Sequence, residues 1–200
     1  MRALALALAL LVAAPAHADE ADAFEQLHDQ IARGRRRISW SLLAGGLVST
    51  VAGAGLMIPG GDNQGWRWAG GTALAFGAID VLLAALTLPA LKREERNFAA
   101  ASAERGTAAG LDAQQRRLLK DLDRESVLYA VNLGLDAMYS IGGVVAVIAS
   151  QQGVTDHERW LGVGVVSIVE GVFLIGIDAA GVVNARRGHD KLVDLLHGRF

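Results

Sequence analysis

Residues 160–183 read WLGVGVVSIVEGVFLIGIDAAGVV, and this window limits what the chain can become more than any other. It is long enough for a helix to cross a bilayer core, which takes about 20 apolar residues. It contains no Lys or Arg, yet Glu170 lies near its middle and Asp178 nearer its end. A carboxylate at that depth is expensive unless it is protonated or paired. Three further windows are also long and almost free of charge: 38–58, 66–91 and 126–149.

Overall, 52% of the 200 residues are hydrophobic and 20% are charged. The charges are confined to a few blocks between the windows, the pattern of a polytopic membrane protein. The expected fold is therefore all-α: an up-down four-helix membrane bundle with its helices extended beyond the membrane on one side. With no Cys in the chain, disulfides and thiolate metal sites are excluded. The net charge of −2 and the lack of a basic face or RNA-binding motif give no signal for nucleic acid.

Residues 1–18 resemble a secretory signal peptide: Arg2, the apolar run 3–14, Pro15, then Ala16-His17-Ala18. In the polar segment 19–37, Phe24, Leu27 and Ile31 share one helical face, with a break expected at Gly34 and a collar of Arg33, Arg35, Arg36 and Arg37. Within the first span, Gly45, Ser49 and Gly53 form a small-residue stripe that suits close helix packing or oligomerisation, with Gly46, Thr50 and Ala54 parallel to it. The second span gathers Gly70, Ala73, Gly77, Asp80, Ala84 and Thr87 on one side. Residues 92–125 form a charged amphipathic hairpin turning at 106–110, and residues 184–200 a polar tail with an apolar edge of Leu192, Leu195 and Leu196. Trp66, Trp68 and Trp160 stand where an interfacial aromatic belt belongs.

The halves resemble each other. A shift of 89 residues places Trp40 on Tyr129 and Gly45 on Gly134, and a shift of 92 places Trp68 on Trp160. Two tandem two-helix repeats are the expectation.

We call side A the face holding residues 19–37, 92–125 and 184–200. Counting inward from it at about 1.5 Å per residue predicts three polar layers: Asn132 with Asp178; Asp80 with Asp136 and Ser49 or Thr50; Tyr139 with Glu170. Asn132, Asp136, Tyr139 and Gly143 should form one stripe of the third span. Apart from Arg67 at the outer end of the second, the spans hold no base, so carboxylates at one depth cannot all ionise cheaply. The layer residues are the candidate polar or ion site.

The bases lie mostly on side A, with only Arg67 and Arg159 on side B. The positive-inside rule then puts side A in the cytoplasm, whereas a cleaved signal peptide puts it outside.

No nucleophile motif, phosphate loop, zinc motif or dinucleotide fingerprint is present, so no catalytic residue, metal site or cofactor is expected and the protein is not read as an enzyme. Asp156-His157-Glu158 reads as a solvated loop. The expected partners are the lipid bilayer and a second copy or another membrane protein, in a bacterial cell membrane. The function expected is structural or interaction-based; the alternative is a proton- or cation-coupled transporter or pore using the intramembrane acids.

Overall fold

The computed structural model describes residues 2–58, 63–101 and 107–198, with side chains from Glu20 onward except at residue 108. The expected signal peptide therefore lies outside the residues with described side chains. Four helices account for the described chain: α1 (Arg2–Met57), α2 (Gln64–Ala100), α3 (Ala108–Ser150) and α4 (His157–Leu196). Side-chain caps fix two of the starts. Asn63 Oδ1 accepts from Trp66 N at 3.1 Å, and Thr107 Oγ1 accepts from Gly110 N at 3.1 Å, the bonds that satisfy orphan amides in a first turn. Asp156, in the left-handed region at φ 61°, turns the chain into α4.

All four helices are long and apolar enough to cross a membrane, over stretches of 38, 37, 42 and 40 residues. At 1.5 Å per residue these reach roughly 55–63 Å, about twice a hydrocarbon core of ~30 Å. The surplus lies on side A and forms a second packing zone. There Phe24, Leu27 and Ile31 of α1 meet Leu111, Leu118 and Leu122 of α3 and Ala185, Leu192 and Leu195 of α4, with Phe98 of α2 against them. The amphipathic segment, the charged hairpin and the tail are thus parts of one bundle. Leu196, by contrast, is exposed.

The helix break expected at Gly34 does not occur, because α1 is continuous through it. A Cβ there would run into the Asn184 side chain of α4, so the glycine admits a neighbour instead of ending a helix.

In the apolar zone the helices touch through glycine. A Cβ on Gly53 would fall 2.6 Å from Gly70 O, and one on Gly77 would fall 2.5 Å from Gly46 O. The second hairpin repeats this crossing. A Cβ on Gly143 would fall 2.7 Å from Gly164 O, and one on Gly171 3.0 Å from Asp136 O. Adding 90 to the α1 positions and 94 to the α2 positions converts one set of contacts into the other. The packing thus repeats at offsets slightly different from the 89 and 92 read from residue matches.

Candidate functional site: a buried carboxyl cluster

Large apolar side chains of the spans point outward: Val48 and Val51 on α1, Leu82 and Leu86 on α2, Val131 and Met138 on α3, Val169 and Val172 on α4. Glycine and alanine line the helix contacts, and the polar groups lie inside. Asp80, Asp136, Glu170 and Asp178 are only 2, 6, 4 and 8% exposed.

Three helices supply these acids. Asp80 shares the buried face of α2 with Gly70, Ala73, Gly77 and Ala84. Glu170 and Asp178 share that of α4 with Gly164, Gly171 and Gly181. Asp80 lies close enough to feel the charges of both Glu170 and Asp136, and Asp178 lies within hydrogen-bond range of Asp136. Helix geometry explains the last contact. Side chains tilt toward the N-terminus of their own helix, so on antiparallel α3 and α4 Asp136 leans toward side A and Asp178 toward side B. α1 contributes small groups. Asp80 Cβ lies beside the position of a Cβ on Gly46, and Thr50 Oγ1 donates to Gly46 O at 2.7 Å, leaving its hydroxyl beside Gly77.

Hydrogen bonding within the cluster is incomplete. Asp80 Oδ2, Asp136 Oδ2 and Ser140 Oγ are buried without a hydrogen-bond partner. Two ionised carboxylates have no proton to donate, so the Asp136–Asp178 contact becomes a hydrogen bond only when one of them is protonated. Unpaired buried charge is costly, and like charges this close disfavour joint ionisation. Among the described residues no group of three or more His, Cys, Asp or Glu has the arrangement to hold a metal ion.

The three predicted layers need correction. Asp80 and Asp136 do come together, with Gly46 against Asp80 and Thr50 beside Gly77; Ser49 and Thr50 are both half-buried. Asn132 is exposed, and Tyr139 is 51% exposed with its ring edge-on to Phe76 at 5.8 Å. Asp178 thus pairs with Asp136 instead of Asn132, and Glu170 approaches Asp80 instead of Tyr139. Rotation about α3 is the reason. At about 100° per residue, Asn132 and Tyr139 lie roughly 40° and 60° to one side of Asp136, whereas Tyr129 and Ser140 lie on the other, inner side. Counting along a helix does not locate the centre of its buried face.

Gly45 and Gly53 are occupied within the chain, against Phe173 of α4 and Gly70 of α2. That stripe is a helix-packing surface, and it is not free to receive a second copy.

Sequence reasoning missed Arg35 as more than part of a collar. It is 5% exposed. Its Nη1 donates to Glu94 of α2 at 2.6 Å and its Nε to Glu125 of α3 at 3.0 Å. One guanidinium thus ties three helices together where the two zones meet. The visible signal was the pair of acids, Glu94 and Glu125, at the side-A ends of spans two and three.

No curated protein and no solved structure matches the chain. Residues 41–179, which contain all four buried acids, match the model of DUF6992, a family of unknown function; the match covers more than half of the chain, and the protein belongs to that family.

Proposed function

We propose that the protein is a proton-handling protein of a bacterial cell membrane, in which Asp80, Asp136, Glu170 and Asp178 take up and release protons in coupling to helix movement. One observation carries this reading: four buried carboxyl groups from three helices share one core, with an oxygen of Asp80 and one of Asp136 unpartnered, and the spans hold no base but Arg67 at one outer end. Ionised acids are rare inside membranes and are functional by default. Each deprotonation adds repulsion between α2, α3 and α4, so proton loss and helix separation are linked. A permanently open pore fits less well, because backbone meets backbone at Gly53–Gly70 and Gly143–Gly164. The Arg-rich composition and the apolar N-terminus support the bacterial membrane, and the repeated glycine crossings support a duplicated hairpin.

The test is proton movement in vesicles containing the full-length protein and an entrapped pH dye. Asp80→Asn and Asp136→Asn should each lower the flux at least tenfold while the protein stays folded. Equal flux in both variants and the parent rejects the reading.

A second reading, a structural or interaction protein, draws on the Asp136–Asp178 contact. An interhelical hydrogen bond of this kind contributes about 0.6 kcal/mol on average as packing glue. In that reading the same variants alter stability and move no protons, and a partner docks on the apolar outer faces.

A further inference from the structure

We infer that the carboxyl cluster exchanges protons with side A alone, along a file of side chains running Glu125, Tyr129, Asp178 and Asp136. This rests on the proton-handling reading and adds its direction and its route.

The route follows the inner face of α3. Glu125, Tyr129, Asp136 and Ser140 fall at i, i+4, i+11 and i+15, so they lie on one side of the helix. Tyr129 faces α4, since its ring occupies the space that a Cβ on Gly181 would need, 2.5 Å from the ring. Gly181 is three residues beyond Asp178, and this bare turn seats the phenol between the two zones. Tyr129 interacts electrostatically with Glu125 and Arg35 on its side-A flank and with Asp178 on the other. Asp178 in turn meets Asp136, and Asp136 and Glu170 both act on Asp80. A phenol both donates and accepts a hydrogen bond, so Tyr129 can take a proton from a protonated Glu125 on its oxygen as it gives its own to an ionised Asp178; the phenol stays neutral while one positive charge passes inward, leaving Glu125 ionised and Asp178 protonated.

Water reaches the start of this file. The Glu125 side chain is 28% exposed and that of Glu94 is 43% exposed. Arg35 pairs with both acids and fixes their position at the mouth. Beyond the cluster toward side B, the described residues offer no comparable file. The helices close on one another at Gly53–Gly70, Gly143–Gly164 and Gly65–Gly162, and Thr50 Oγ1 is turned back onto its own helix at Gly46 O.

The experiment is hydrogen–deuterium exchange of the buried carboxylic acid, followed through its infrared carbonyl band in the full-length protein in lipid. The parent should show a protonated-carboxyl band at neutral pH that is lost or shifted in Asp136→Asn. Tyr129→Phe should keep the band and slow its exchange at least tenfold, and Glu125→Gln should slow it in the same direction. Ser150→Ala, at the side-B end of α3 where its hydroxyl donates to Val147 O, should leave the rate unchanged. A retained band whose exchange is unaffected by Tyr129→Phe and Glu125→Gln, or is slowed instead by Ser150→Ala, overturns the route. Absence of the band from the parent removes the proton-holding reading itself, which separates the two failures.

Discussion

The two halves of this bundle use the same four helices with opposite polarity. On side A, Phe24, Leu122 and Leu192 are fully buried and the charged groups Asp112, Arg116 and Lys120 face out. In the spans, Val48, Leu86 and Met138 face out while Asp80 and Glu170 are buried. Water drives the first arrangement, because apolar area removed from it contributes about 25 cal/mol per Å². Lipid offers no such drive, so the second zone relies on close backbone contact and on keeping polar groups away from acyl chains. Arg35 sits where one rule gives way to the other.

Equal changes in the two zones should therefore have unequal effects. The largest is expected for Gly77→Leu, whose side chain would meet the backbone of Gly46 and Thr50. α1 and α2 cannot stay in register around it, and the variant should fail to give a monodisperse folded species on size exclusion in detergent. Phe24→Ala empties the side-A core and should cost about 3–5 kcal/mol, read as a lower midpoint of denaturation. A normal midpoint there would mean that the side-A zone does not contribute as a packed core.

Arg35→Met tests the junction. Removing one partner of a buried ion pair costs about 3–5 kcal/mol, but Glu94 and Glu125 are partly exposed here and can recover water. The expected loss is accordingly about 1–3 kcal/mol, larger than for Arg36→Met, whose exposed pair with Glu95 is of the kind that contributes about 0–1 kcal/mol. A thermal melt of the two variants side by side decides the order. The smallest effect belongs to Val48→Ala on the lipid-facing surface of α1. It should change stability by no more than about 0.5 kcal/mol, the range of surface substitutions. A loss comparable with that of Phe24→Ala would show that this face is covered by a partner.

The two hairpins differ as well, within a shared packing register. At the offsets of 90 and 94, Asp136 stands where α1 has Gly46, Glu170 where α2 has Phe76, and Asp178 where α2 has Ala84. Three of the four buried acids thus belong to the second hairpin. The first provides Asp80 and the small residues that let α1 and α2 close around it. Both hairpins pack closely through glycine, and the second carries most of the buried acids as well.

Read alone, the residue order determined the four helices and their up-down course, because those depend on the length of the apolar windows and of the loops between them. It also singled out Asp80, Asp136, Glu170 and Asp178, since an acid stands out in an apolar run wherever it points. Only the tertiary structure decided which of them meet. A helix can turn about its axis without changing any depth, and a rotation of roughly 40–60° removed Asn132 and Tyr139 from the core and brought in Tyr129. The role of Arg35 was equally out of reach, because three consecutive arginines look alike along the chain and packing of α2 and α3 around α1 selects one to bury. Local periodicity is written in a single helix, whereas rotation and partnership are set by how several helices fit together.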